Sequence, residues 1–404
     1  MSHHIVIVGA GLFGVAAARE LLARGWGVDL IDPGPVPRPS AASTDVSKVV
    51  RMDYGADEFY TRFAAAALAG WDDWNARWDP PLYHQDGFLL LAADRMRPGG
   101  FEHDSMRTLA SLGHSVHRVG RGFGVGRGFG VGRGFMPRQA FPAWSSATYP
   151  DGYFNARAGW AESANVVARL AADLQTSGAH LREGQQFAHL LEAAGRVAGV
   201  RTSDGEEIRG DAVVIAAGAW TPSLLPELSD VMWTTGQPVV HFDVGTSARW
   251  RAPLFPVWAA DIARTGWYGF PALDDGTLKI GHHGTGRRVD PDGDRRVLPS
   301  EVERFREFLR RNLPELADAP VRATRLCLYC DTFDGDFWID RDPARPGLVV
   351  AAGDSGHGFK FAPVLGGVIA DVVERRPNAW AHRFRWRSRD RDATEAARAA
   401  SAEL

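Results

Sequence analysis

The chain has 404 residues but only two cysteines, Cys327 and Cys330. Two cysteines cannot build a disulfide framework, and such scarcity fits a reducing compartment. An excess of charge of one sign is also missing: 46 Lys and Arg stand against 49 Asp and Glu, a formal net charge of −3. That balance gives no electrostatic case for nucleic acid or an anionic membrane surface. No apolar run approaches the roughly 20 residues a helix needs to span a bilayer. Met1-Ser2-His3-His4 leads into the first apolar run with no basic segment and no cleavage site, so no secretory leader is expected. The expectation is a cytoplasmic, monomeric protein that acts on small molecules. What is present is an ordinary globular composition, 45% hydrophobic and 24% charged, long enough for two domains or one two-part domain. The 14 tryptophans serve either core packing or an aromatic ligand pocket.

His4 to Val8 is a short apolar run of the kind that forms a buried parallel strand. Gly9-Ala10-Gly11-Leu12-Phe13-Gly14 follows, then a helical run from Val15 to Arg24 closed by Gly25, then the strand-like Val28 to Asp32. This is the spacing of a dinucleotide-binding βαβ unit. Gly9 permits a tight turn, Gly11 lets the backbone approach a pyrophosphate, and Gly14 lets the helix pack close to the strand. Asp32 is placed to accept hydrogen bonds from a ribose diol, and the helix start supplies free N–H groups and a partial positive charge. The motif alone suits FAD or NAD. Two later segments favour FAD. One is Val213 to Trp220, an apolar strand running into small residues that include Gly218. The other is the Gly-rich turn with Gly353, Gly356, Gly358, Phe359 and Lys360. An extended FAD touches several such turns.

Strand–Gly–helix units at both ends, with β-rich sequence between them, predict a mixed α/β (α+β) fold. A discontinuous Rossmann-like FAD-binding domain, 1–82, 150–222 and 323–385, would carry an inserted antiparallel-sheet substrate domain, 83–149 and 223–322, and a tail, 386–404. Strands are expected at 86–92, 237–243, 269–271 and 277–281, and helices at 163–176 and 364–373. Ser300 with Glu303 reads as a capping box for a helix through Arg311. From Val119 to Met136 the chain repeats a hexapeptide, VGRGFG, VGRGFG, VGRGFM. Glycine this frequent disfavours a helix, so the segment reads as a surface insert, or as a basic loop presenting Arg121, Arg127 and Arg133. The Arg-rich, then Ala/Glu-rich tail reads as a solvated, partly disordered end.

Cys327, in Arg325-Leu326-Cys327-Leu328-Tyr329-Cys330, admits three readings. It is a buried thiol, one half of a C-x-x-C pair with Cys330, or a thioether to a flavin methyl carbon. With no second ligand pair, metal binding is not expected.

The chain resembles the monomeric sarcosine oxidase family of FAD-dependent amine oxidases, within the D-amino acid oxidase superfamily, whose relatives include the fructosyl amino acid oxidases. The resemblance covers nearly everything except the hexapeptide insert and the tail. It implies that Cys327, in RLCLYCDTFDGDFWID, holds FAD covalently. It implies that Arg51, in SKVVRMDYG, and Lys360, in SGHGFKF, grip a substrate carboxylate, and that Lys279, in TLKIGHH, serves oxygen activation. Tyr268, His283 and His357 fall at active-site positions. His282 and His283 alternate faces, and His283 is taken as the one facing the site. Two residues depart from sarcosine oxidases. Lys48 replaces an arginine, and Asp354 replaces an apolar residue; both resemble the fructosyl amino acid oxidases, and Asp354 could meet a cationic or hydroxyl-rich substrate group.

The chemistry of these residues agrees with the resemblance. A guanidinium and an ammonium hold a carboxylate, which fixes the reacting carbon over the ring. Nearby cations also favour the neutral amine that hydride loss requires. A helix start at Gly356 to Lys360 would stabilise an anionic reduced flavin. The implied activity is oxidation of N-alkyl amino acids by FAD and O2, giving an imine that hydrolyses and hydrogen peroxide. A fructosyl amino acid oxidase and a dehydrogenase with another electron acceptor are the alternatives.

Overall fold

In the computed structural model, residues 3–119, 135–136, 140–389 and 392–399 are described. Residues 120–134, which hold most of the hexapeptide repeat and its three arginines, lie outside them.

His4–Val8 and Gly27–Asp32 pair in parallel, with Ile7 opposite Leu30. The helix between them spans Leu12–Ala23, three residues ahead of the expected start. Gly14 makes this possible: a Cβ there would lie 1.8 Å from the Gly9 carbonyl oxygen, so only glycine lets the first helical turn sit against the strand's end. Ala212–Ile215 and Leu348–Ala352 extend the parallel sheet, His180–Glu183 flanks Gly27–Asp32, and Trp338–Arg341 closes the far edge in antiparallel. The central strands, His4–Val8, Ala212–Ile215 and Leu348–Ala352, are continuous apolar runs because both faces are covered. Alternate residues enter different cores. Ile5, Ile7 and Val214 pack with the helices Leu12–Ala23 and Ala362–Glu374. Val6, Val8 and Val213 pack with Val197, Val200 and Ile208 of a separate three-stranded sheet.

The second sheet is larger and mostly antiparallel. Its spine is Met232–Asp243, longer than the expected 237–243 because it is paired on both sides. Thr277–His282 lies on one side and Val321–Thr332 on the other, with Gln237 opposite Cys327. The sheet also takes in Phe88–Ala92, Asp151–Asn155, Val257–Ala260 and Trp267–Gly269. It therefore draws strands from beyond 83–149 and 223–322. The Cys327 strand ladders with the second sheet and hands the chain to Trp338–Arg341 of the first.

Two local expectations are corrected. The helix Pro299–Asn312 does not use Ser300 and Glu303 as its cap. Pro299 takes the first position, where its missing N–H costs nothing, and the Leu298 N–H donates to Glu301 Oε2 at 2.7 Å. The described part of the tail is not a solvated end. Trp386 packs on Trp338, and residues 392–399 fold back across the second sheet. The Ala393 N–H donates to the Phe333 carbonyl at 2.7 Å, the Ala399 N–H donates to the His283 carbonyl at 3.0 Å, and Ala397 and Ala399 are fully buried. Composition misled here because the segment's two buried charges, Glu395 and Arg398, find partners inside the protein. Among the described residues no helix is long and apolar enough to cross a membrane.

Candidate active site

Three Gly-rich turns converge on one cleft of about 460 Å³. Gly9 and Gly11 come from the first strand–helix turn, Gly218 from the turn after Ala212–Ile215, and Gly356 from the turn after Leu348–Ala352. Close approach explains two of these glycines. Gly9 has φ +102°, and a Cβ there would lie 2.6 Å from the Ala216 carbonyl oxygen. Gly356 has φ +76°, and a Cβ would strike the Tyr329 ring. Gly14, Gly353 and Gly358 shape the turns from behind. Asp32 closes one end, accepting from the Ala10 N–H at 2.9 Å and the Gly34 N–H at 3.0 Å. Each of its oxygens keeps a lone pair for a further donor such as a ribose hydroxyl. Burial raises its pKa against those two hydrogen bonds.

The other end is cationic. Of the chain's three lysines, Lys48 stands at this end, Lys360 lines a second cavity beside it, and Lys279 is buried nearby and lines neither. Lys48 lines the cleft and donates to Cys327 Sγ at 3.4 Å. Lys279 is buried, donates to the Ser47 carbonyl at 2.5 Å and pairs with Asp45 Oδ2 at 2.6 Å. Burial pulls its pKa down to about 8, with Asp45 acting in the opposite direction. Burial likewise opposes charge on Asp45, but Lys279 and His241, 3.1 Å away, hold its carboxyl well below the ordinary range.

A second, smaller cavity of about 60 Å³ opens beside Lys48. Arg51, Tyr268, His283, His357 and Lys360 all line it. Lys360 Nζ donates to Tyr54 Oη at 2.9 Å and to the His357 carbonyl at 2.7 Å. Burial, with Arg51 nearby, lowers its pKa well below the usual lysine range. His357 has Tyr54 Oη at 3.1 Å from Nδ1 and the Gly335 carbonyl at 3.0 Å from Nε2. Burial takes its pKa down to about 3, so it is neutral at physiological pH. His283 faces the cavity while His282 turns to Trp267, at 4.9 Å between ring centroids. Arg51 Nη2 donates to Glu395 Oε1 at 2.9 Å, and Nη1 has no partner among the described residues.

Several sequence expectations are redirected. Asp354 does not join Arg51 and Lys360. Ser355 and Gly356 both have positive φ and turn the chain there, so Asp354 accepts from the Cys330 N–H at 3.2 Å and lines the larger cleft. Burial raises its pKa to about 6. The helix after the Gly-rich turn begins at Ala362, behind a 3₁₀ turn over Phe359–Phe361, so Gly356 belongs to the loop and not to a helix start. Cys327 and Cys330 cannot act as a redox pair. An odd spacing puts them on opposite faces of one strand, and Cys330 Sγ lies in the core 3.9 Å from Met232 Sδ. Among the described residues no group of His, Cys, Asp and Glu could hold a metal ion. Asp45, Tyr54, Tyr329 and Glu395 were not anticipated; each reaches the site through contacts that no local sequence pattern marks.

A family model described as FAD dependent oxidoreductase matches residues 4–372. The chain belongs to the FAD-dependent oxidoreductase family. This FAD-dependent oxidoreductase is 26% identical to monomeric sarcosine oxidase of Bacillus sp. (strain NS-129), over 92% of this chain and 94% of the relative. It is 28% identical to N-methyl-L-tryptophan oxidase of Salmonella heidelberg (strain SL476), over 92% of this chain and 95% of that one. The crystal structure of the deglycating enzyme fructosamine oxidase (Amadoriase II) from Aspergillus fumigatus superposes with a TM-score of 0.80 at 26% identity, covering 95% of this chain and 89% of that chain. The residues of the cleft fit FAD. Its volume is that of a cofactor site, Gly9 and Gly11 leave the helix N–H groups accessible, and Asp32 offers acceptors at one end.

Proposed function

We propose that this FAD-dependent oxidoreductase is an oxidase of α-amino acids that carry a secondary amine. The observation that carries the reading is the small cavity at the cationic end of the cleft, where Arg51 and Lys360 are both buried. Two such cations select an anionic substrate group, and a carboxylate matches the guanidinium fork. The printed names of the relatives, sarcosine oxidase and N-methyl-L-tryptophan oxidase, support an N-methyl amino acid as the bearer of that carboxylate.

Bound FAD would supply the two-electron chemistry, hydride acceptance from the carbon beside nitrogen and return of the electrons to O2 as hydrogen peroxide. The chain's residues bind, orient and balance charge. Arg51 and Lys360 hold the carboxylate and, as cations, disfavour protonation of the substrate amine. Tyr268 and the neutral His357 wall the cavity and exclude water. The imine product hydrolyses after release. Lys279 sets a positive charge beside the cleft where reduced oxygen would carry its negative charge.

Cys327 would hold FAD as a thioether in this reading, with O2 as acceptor of the two electrons that forming the S–C bond would release. Lys48, 3.4 Å from Sγ, places a cation beside the sulfur nucleophile. A reducing, cytoplasmic setting goes with this reading, since the chain carries only two cysteines.

A second reading, oxidation of fructosyl amino acids, is favoured by Lys48 and by the fold shared with the fructosamine oxidase. A peroxide assay separates them. Sarcosine and other N-methyl amino acids should yield peroxide and fructosyl-glycine little; the reverse order would favour the second reading.

Lys279→Met should slow reoxidation of the reduced enzyme by O2 by about a hundredfold or more, a loss in the range of one preorganised charge contact, and slow anaerobic reduction by substrate far less. The ammonium is the active form, so wild-type reoxidation should fall as pH rises through about 8, and Lys279→Met should lack that limb. Equal losses in both half-reactions would remove Lys279 from its role. Acid-precipitated wild-type protein should stay yellow and Cys327→Ala protein should bleach; colour lost from both would refute the thioether.

A further inference from the structure

The tail's Glu395 is buried behind the wall of the small cavity, against Arg51 and His283, which both line it. Its Oε1 accepts from Arg51 Nη2 at 2.9 Å and its Oε2 lies 3.1 Å from His283 Nε2. It therefore sits on the guanidinium fork assigned above to the substrate. The cavity left beside it is about 60 Å³, room for about two waters at the ~30 Å³ each takes in the liquid. No amino acid fits in that space. Nor can a second carboxylate join Glu395 on one fork without like-charge repulsion in a buried site.

The segment that carries Glu395 is held mainly by polar contacts. Arg398 forms a two-pronged ion pair with Asp331, at 2.5 and 2.7 Å, and its Nε donates to the Gly284 carbonyl at 2.8 Å. Single backbone hydrogen bonds, from Ala393 to Phe333 and from Ala399 to His283, mark its two ends. The other inward side chains are alanines, which add little apolar burial. A segment of this kind loses few apolar contacts on opening, and the charge it leaves on Arg51 is offset where a substrate carboxylate replaces Glu395.

We propose that residues 392–399 form a strap over the substrate pocket, in which the Glu395 carboxylate occupies the seat of the substrate's own carboxylate on Arg51 and is displaced when an amino acid binds. With the pocket empty, the strap also spares Arg51 an uncompensated buried charge. The proposal rests on Arg51 being the carboxylate seat.

The test uses the full-length, FAD-loaded protein, titrated with benzoate and with its uncharged counterpart benzamide. Binding is read from the flavin absorbance and strap opening from backbone hydrogen exchange. Saturating benzoate should speed exchange in peptides covering 392–399, and benzamide should not. Glu395→Gln should bind benzoate about ten-fold more tightly, because removing the competing state raises the binding-competent fraction. Benzoate that binds while exchange in 392–399 stays unchanged or slows overturns the strap, and this wild-type measurement does not depend on any variant folding. A Glu395→Gln protein that binds benzoate no more tightly overturns it too. Arg51→Met separates the two claims. Undiminished benzoate binding by Arg51→Met refutes the seat itself. Loss of binding there, together with indifferent exchange in wild type, keeps the seat and refutes the strap.

Discussion

Lys279 is buried in the second sheet, and its ammonium is tolerated there because Asp45 stands 2.6 Å away and the Ser47 carbonyl accepts from it. An unpaired charge at that depth would cost several kcal/mol, and breaking such a pair costs roughly 3–5 kcal/mol. The pair spans the two parts of the fold. Asp45 precedes the strand Lys48–Val50, whereas Lys279 lies on Thr277–His282 of the second sheet. Bringing them together also brings Lys48 beside Cys327 and sets Arg51, one residue past its strand, at the wall of the small cavity. The cationic end of the cleft thus follows from how one acidic residue is satisfied.

The remaining cations are balanced in the same way, by groups from distant parts of the chain. Lys360 is held by Tyr54 and its own turn's His357 carbonyl, and Arg51 by Glu395 of the tail. Glu395 takes Arg51 Nη2 and leaves Nη1 without a partner among the described residues. A substrate carboxylate that engages both arms of the guanidinium must therefore replace Glu395. That constraint links binding to movement of the chain's last described segment.

Much of the nucleotide side was legible in the sequence. Gly9, Gly11, Gly14 and Asp32 are close together in the chain, and their roles follow from local backbone geometry that a motif records. The apolar strand at 4–8 and the run from 213 were visible because a strand buried on both faces needs an unbroken apolar run. The substrate side was legible mainly through family resemblance. Long-range pairings such as Lys279 with Asp45, or Arg51 with Glu395, leave no periodic trace. The tail was misread for the same reason. Alternating alanine and charge suggests solvent, yet Glu395 and Arg398 are buried because their partners lie more than 60 residues away. Asp354 was misplaced because a left-handed turn at Ser355, unusual for a non-glycine residue, redirects it.

The central claim is that the buried cations around the small cavity recognise a carboxylate next to the flavin. Anaerobic mixing of the FAD-loaded enzyme with an N-methyl amino acid and with its carboxamide tests this most directly. The account predicts that the acid reduces the flavin and that the amide does so slower by roughly a hundredfold or more, as expected when a buried cation loses its anionic partner. Equal rates of flavin reduction by the acid and the amide would contradict it.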